Sequence, residues 1–493
     1  MFNKINEDFI QSKAFYSSNC SFTAKALYSS NNLDAIFNLE SLVYNMRFVY
    51  RLNKFAYAEF ILNDTAQRLM DRVIYLNDGN YIDVEIRTPL DTLFRFSGRI
   101  GLFKCIDIPT NMYYMRIYSV WNYLNIYPDK VRIGLFNENG MTFSNILNNI
   151  IYYQIPIKKD KTDATKETAN SKAEGNSLYL FDVDSATNPS FYCTATDNSV
   201  KLKTYIVPNW NLEETLNYIV PFCSVGNEKG GDFIWYENID GLYVISVEEM
   251  YKRGNSKTVN KFFVNEFQHK ESSENSEGTI SQNVIYDYEF ISGYDTKQLK
   301  ENYAGGMNQV MFDNIQKKVV HSFSTGEESE IVENQYINSN ISEYLANRKT
   351  IYGKPLLDNS LNSAISYNSA SVEYREFSDA ENNSKLAQSY ANNKITKSLF
   401  NNYNLVIKTN FIPTISIGSF VYIDFPSLPN KNREPIKDYS GVWMVVGAEY
   451  VYEANSPIDS QPFYYSIFTL ARDSKYSDSG TKFEKFNQIE ENN

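Results

Sequence analysis

Apolar and polar positions alternate most cleanly at YIDVEIR, where Ile82, Val84 and Ile86 fall on one face and Asp83, Glu85 and Arg87 on the other. A period of two is the mark of a strand with one wet side. LFRFSGRI repeats the pattern with Phe94 and Phe96, and the β pattern begins upstream in FNLESLVYNMRFVYRLNKFAYAEFILND, from Phe37 to Asp64. The order is strand, strand, a short acidic connection, a charged strand and an F-x-F-x-G strand. It predicts a small antiparallel barrel over 34–110 that closes near Ile108. Residues 1–33 are polar and rich in Ser and Asn, and they read as an arm with little core of its own.

The period becomes helical twice. MTFSNILNNIIYYQI offers Ser144 as a cap and places Ile146, Leu147, Ile150 and Ile151 at helical spacing. PNWNLEETLNYIVPF offers Asn211 as a cap with Glu214 three residues on, and Leu212, Leu216 and Ile219 repeat along one side. Each helix leads into an aromatic strand region, which suggests a weak internal duplication. The first belongs to a helix-containing insert over 111–204, in which NMYYMRIYSVWNYLN is too bulky for a loop and reads as strands. Lys158–Ser177 has no aromatic or branched apolar residue and reads as a mobile loop, 158–177.

The second helix opens a unit over 205–282. In GDFIWYENIDGLYVISVEEM, Phe233–Tyr236 is one strand, Asn238–Gly241 carries turn chemistry and Leu242–Val247 resumes the apolar run, which spells a hairpin. The polar stretch Ser272–Gln282 ends it. A β-rich connector follows over 283–400, with Gly305 and Gly306 at a turn, then Val310, Phe312 and Asp313 in a strand, and a closing helix on Leu386, Tyr390, Ala391, Ile395 and Leu399. A second barrel is expected over 401–473, with a turn at Pro413–Gly418, a strand Phe420–Phe425 stopped by Pro426, and two or three more strands. Residues 474–493 read as a flexible tail.

These landmarks, taken in order, resemble the baseplate hub proteins of phage contractile tails and related injection machines. The resemblance lies in a capped helix before an aromatic strand pair with Trp235 and an Asp240–Gly241 turn, and in a Gly305–Gly306 turn before an apolar strand ending at Asp313. It continues in the G-x-x-V-x-I-x-x-P strand (Gly418, Val421, Ile423, Pro426), the S-G-x-W strand (Ser440, Gly441, Trp443) and the final L-x-R-D (Leu470, Arg472, Asp473). It covers 34–110 loosely and 205–473 better. It implies a mainly β, multidomain α+β chain with two small antiparallel barrels of tail-tube type. It further implies a structural virion protein of the tail baseplate, made in the host cytoplasm, whose homotrimer forms a pseudo-hexameric ring. Its partners would be the tail tube protein, the central spike protein and baseplate wedge or tape-measure proteins, with DNA met only in transit through the channel.

Composition agrees with a β-rich reading: 39 Tyr and 32 Phe stand against 14 Pro and 21 Gly, and aromatic rings suit pleated, half-buried surfaces. A chain of 493 residues suggests three or four domains at roughly 100–200 residues each. A net charge of −12 disfavours a general nucleic-acid surface. Cys20, Cys105, Cys193 and Cys223 lack metal or redox spacing and read as buried thiols of a reducing cytoplasm. No export signal is read at the start of the chain, and no apolar stretch reaches about 18 residues, so no stable membrane insertion is expected.

Candidate chemistry is sparse, and no catalytic, cofactor-binding or metal-binding residue is predicted. The two histidines, His269 and His321, are far apart in sequence. Gly353-Lys354 is followed by Pro355, and Gly230-Gly231 precedes an acid, so neither opens a phosphate loop. The pairs Asp83/Glu85, Glu213/Glu214 and Glu248/Glu249 read as a wet strand face and two helix or turn starts, against a glycosidase pair as the alternative. Trp235-Tyr236, Tyr113-Tyr114 and Tyr464-Tyr465 read as core, the alternative being a carbohydrate-binding or host-recognition protein of the tail tip. Two or more of these rings in one open groove would favour that alternative.

Overall fold

The computed structural model describes residues 20–30, 33–69, 76, 80–88, 92–126, 134–154, 190–195, 202–206, 210–223, 233–247, 249–250, 260–264, 284–292, 306–313, 318–325, 365–369, 373–374, 403–425, 440–454 and 462–472. The strands β1 (Ser21–Ser30), β2 (Leu33–Asn38), β3 (Val43–Arg51), β4 (Tyr57–Asn63), β5 (Tyr81–Arg87), β6 (Leu93–Asp107) and β7 (Met112–Ser119) come first. Helix α1 (Val120–Ile126), β8 (Gly134–Met141), α2 (Phe143–Gln154), β9 (Ser190–Cys193), β10 (Leu202–Ile206) and α3 (Leu212–Ile219) follow, then the hairpin β11 (Phe233–Asn238) and β12 (Gly241–Ser246). Further along are β13 (Asn260–Val264), β14 (Val284–Ser292), β15 (Gly306–Asp313), β16 (Lys318–Thr325), β17 (Ile365–Ser369) and β18 (Glu373–Tyr374). The last strands are β19 (Tyr403–Asn410), β20 (Phe420–Asp424), β21 (Gly441–Glu453) and β22 (Phe463–Arg472).

The described chain is mostly antiparallel β with few helices, and thirteen of its strands share one sheet, ordered β2-β1-β5-β6-β7-β4-β3-β21-β20-β13-β14-β19-β22. A further pairing joins β21 to β22, so that β21, β20, β13, β14, β19 and β22 each pair with two neighbours of the same group. All pairings in this sheet are antiparallel except those of β13 with β14 and β20. The two regions expected as separate barrels are thus one continuous sheet, joined where β3 pairs with β21 from Arg51↔Gly447 to Asn45↔Glu453.

The alternation explains the layers. On β5, Ile82, Val84 and Ile86 are buried, as are Phe94, Phe96 and Ile100 on β6 and Met115 and Ile117 on β7. Phe94 bridges the two regions, its ring 4.9 Å from Phe48 and 4.8 Å from Tyr450. One apolar cluster therefore runs from Ala24 to Ala471. A second lies under the helices and the hairpin, with Trp121, Phe143, Ile146, Leu147, Leu216, Ile219, Trp235 and Val244.

Several boundaries differ from expectation. The strand region does not close near Ile108, because β6 turns directly into β7, whose buried Met115 and Ile117 seat it between β6 and β4. Nor do β1 and β3 pair with each other among the described residues. The expected arm contains β1, which pairs with β2 and β5 and buries Ala24 and Ala26. The stretch Asn111–Asn125 passes from strand to helix after Ser119. Helix α2 is capped by Thr142, whose hydroxyl accepts from Asn145 N at 3.2 Å, two residues before the expected Ser144. Helix α3 has the expected capping box: Asn211 Oδ1 accepts from Glu214 N at 2.7 Å, and Glu214 Oε2 accepts from Asn211 N at 2.9 Å.

The loop 158–177, the break Ser272–Gln282, the closing helix of the connector, the tail, and Gly230-Gly231, Glu248, His269, Gly305, Gly353-Lys354, Pro426 and Asp473 lie outside the described residues. Among the described residues no helix is long and apolar enough to cross a membrane.

Candidate functional site

The landmarks fall into three places. Trp235 is buried at the joint between the hairpin and the helices, its Nε1 donating to Asn217 Oδ1 at 2.9 Å and its ring 4.9 Å from Phe55. The expected tight turn falls on Ile239 and Asp240, with Gly241 opening β12 opposite Asn238. Gly241 extends at φ 153, and Asp240 accepts from the Tyr243 hydroxyl at 2.5 Å.

The second group stands in the last strands. Gly418 takes φ 82 and its N–H donates to Val445 O at 2.9 Å. A side chain there would begin 2.9 Å from the Tyr236 hydroxyl, so the loop that carries Gly418 closes over the hairpin. Asn238 Nδ2 also donates to Ser416 Oγ at 2.9 Å. Gly441 starts β21 at φ 123 opposite Ile423, and Trp443 stands opposite Val421. The Arg472 guanidinium lies 4.2 Å over the Trp443 ring and donates to Ser440 O at 3.2 Å. The S-G-x-W and L-x-R segments thus meet as one stacked cation and ring inside the core.

Gly306 and Asp313 form the third place, opposite Thr325 and Lys318 at the two ends of β15. They share a small separate sheet with β17 and, among the described residues, pair with neither other group.

The expected acidic pairs take structural partners. Asp83 accepts from Arg95 at 3.2 and 3.0 Å and from Ser97 Oγ at 2.5 Å, and Glu85 lies 3.7 Å from Arg95. Glu213 pairs with Lys54, and Glu214 completes the helix cap. Trp235, Tyr236, Tyr464 and Tyr465 are buried. Tyr113 stacks on Phe103 with centroids 5.5 Å apart, and the Tyr114 hydroxyl donates to Glu59 at 2.7 Å. The rings proposed for sugar stacking are therefore engaged in the fold. No group of three His, Cys, Asp or Glu that could hold a metal occurs among the described residues.

Two features were not anticipated. The first is a row of charges across the β21–β3–β4–β7 strands. Glu449 accepts from Arg47 Nε at 2.9 Å and pairs with Arg51 at 3.2 Å, and Glu59 pairs with Arg116 at 2.6 Å. Burial pushes the Glu59 carboxyl up, but the hydrogen bonds from Tyr114 and Arg116 outweigh it and hold it below its usual range. The second is Glu237, fully enclosed in the aromatic run FIWYEN, with its carboxyl pushed up to about 8 by burial. The signal for it was present: a lone acid on the strand face shared with Trp235.

No family model matches the chain, and no curated protein matches its sequence. Among solved structures the chain is similar to a tail protein from Neisseria meningitidis MC58, at 9% identity and TM-score 0.49, over 92% of this chain and 97% of that one. It is similar to the 43 kDa tail protein of prophage MuSo2 from Shewanella oneidensis, at 8% identity and TM-score 0.46, over 92% and 96%. A third is the prophage tail protein gp18 from Listeria monocytogenes EGD-e, at 9% identity and TM-score 0.38, over 96% and 99%.

Proposed function

We propose that this chain is a structural, non-enzymatic tail protein: the baseplate hub subunit of a phage tail or related injection system. The observation that carries the reading is the layout about the β3–β21 pair. Outward from β3 the sheet runs β4, β7, β6, β5, β1, β2, and outward from β21 it runs β22, β19, β14, β13, β20. Seven strands, β3 included, stand on one side and six, β21 included, on the other, and an antiparallel pair is locally twofold. A chain that carries two such arrays lets three subunits present six, which is what an adaptor between a sixfold tube and a threefold spike requires. The two arrays are read as counterparts of the two tail-tube-type units of a hub, joined here in one sheet and not closed as separate barrels.

In this reading the homotrimer lies in the virion baseplate, contacts the tail tube, the central spike and wedge or tape-measure proteins, and surrounds the genome-ejection channel. A net charge of −12 suits a wall past which DNA slides without being held.

The test is the mass of the purified chain in solution, with images of the particle and co-purification with a tail tube protein of the same system. The expected result is a threefold ring of three chains, or a monomer that forms that ring on the tube protein. An elongated monomer or fibre that ignores the tube protein and binds cell-surface glycans would replace the hub with a tail-tip host-recognition protein.

A further inference from the structure

Strand β11 meets the main sheet along three consecutive residues. Trp235 O accepts from Asn53 N at 2.8 Å, Tyr236 bridges to Leu52, and the Glu237 side chain enters between two corners of the chain. One corner joins β3 to β4 and the other joins β7 to α1. Glu237 Oε2 accepts from Ala56 N at 2.7 Å and from Ser119 Oγ at 2.8 Å. The corners are also laced to each other. Ser119 N and Asn122 Nδ2 donate to Ala56 O at 3.2 and 3.0 Å, and Asn122 N donates to Ser119 Oγ at 3.1 Å. One carboxyl thus ties together three distant parts of the chain.

Both groups that donate to it are neutral. Lys54, two residues from Ala56, is turned to Glu213 on α3. The titratable group facing Glu237 from β3 is Tyr50, whose phenol is raised first by burial and then by the charges of Glu237, Tyr450 and Asp240. Asp240 lies on the same hairpin. A carboxylate in this setting would sit in low dielectric with two neutral donors and no cation among its described partners, which is costly, whereas a carboxylic acid is well accommodated.

We propose that Glu237 is a proton-dependent latch: its neutral carboxyl holds the hairpin and helix unit against the two corners, and loss of that proton loosens this joint while the main sheet stays folded. The sign follows from linkage. The carboxyl sits at about 8 when docked against an ordinary 4.5 when released. Below the released value both states carry the proton and the latch is at full strength. As pH rises between the two values the released state loses its proton first, so docking weakens across that window and levels off above the docked value.

The experiment is amide hydrogen exchange on the full chain from about pH 5 to about pH 9, read as protection factors that correct for intrinsic exchange. Protection of β11, β12 and α1 is expected to fall by at least about tenfold across the range, one pKa unit of differential interaction being worth a factor of ten. Protection of β19 and β22 should stay level. Glu237→Gln should remove the pH dependence of the joint. An unchanged fall in this variant, or no fall in the parent chain, overturns the latch. Where Glu237→Gln does not fold, Ser119→Ala decides. It withdraws a bond that favours the charged form in the docked state only, so the fall should begin at the same pH but continue to a higher one, whereas a loss of protection equal at every pH overturns the proposal.

Discussion

Gly418 shows what a single position can hold in place. Its φ of 82 suits glycine, and a Cβ would meet the Tyr236 hydroxyl at 2.9 Å and the Met250 methyl at 3.0 Å. Gly418→Ala should therefore cost about 1–3 kcal/mol in denaturant unfolding. Adding Tyr236→Phe should return only part of the steric cost, since the Met250 methyl contact and the backbone strain remain. Gly447 is the contrast: its nearest neighbour would be Thr469 Cβ at 3.2 Å, with no unusual φ, so Gly447→Ala should cost less. Equal losses at the two glycines would refute the role given to φ. The sequence marks Gly418 as a turn residue, because a glycine between Pro413 and the next strand is a local signal. What it turns against was not legible, since Tyr236 is far upstream and no local pattern connects the two. Trp443 and Arg472 behave alike: their motifs stand out, but that the guanidinium lies on the indole is a fact of register between β21 and β22.

At the scale of the element, the cap of α3 was readable in full because all its parts lie within four residues. Asn211→Ala removes the acceptor for Glu214 N and should cost about 1 kcal/mol, read as a lower melting temperature with faster exchange in the first turn of α3. Helix α2 gives a sharper test. Thr142→Ala removes the bond to Asn145 N and should cost a similar amount, while Ser144→Ala loses only its contact with the Thr142 hydroxyl and should cost a few tenths. A larger loss at Ser144 would restore it as the cap. The shift of two residues arose because Thr and Ser are chemically equal caps, and only the burial of Phe143 fixes which one precedes the helix. Strand β1 was missed for another reason. Its core positions are Ala24 and Ala26, too small to stand out against Ser21, Thr23 and Lys25, so the period of two was present but faint.

The whole molecule turns on the β3–β21 seam, which pairs residues from opposite ends of the chain and so leaves no local trace. From sequence the two strand regions look like two bodies; the seam makes them one. Its outer face carries Arg47, Arg51 and Glu449, and its inner face carries Tyr50 and Tyr450, with ring centroids 6.0 Å apart. Magnitudes decide which face holds it. The arginine side chains are 41% and 56% exposed, so solvent screens the pairs and each contributes about 0.2–1 kcal/mol. Tyr450 is buried against Phe94, Phe411 and Phe468, and its hydroxyl donates to Ile415 O at 2.5 Å. Tyr450→Ala should cost about 3–5 kcal/mol. A double-mutant cycle on Arg47 and Glu449 should give a coupling of no more than about 1 kcal/mol. Because the apolar cluster is continuous across the seam, the first and last strands should also unfold together. Fluorescence of Trp443, isolated by replacing the other tryptophans, and exchange of β5 and β6 amides should report the same denaturant midpoint. Two midpoints in the parent chain would mean the seam joins two independently stable bodies. A split that arises only in Tyr450→Ala would locate the coupling in the inner face, where the magnitudes place it.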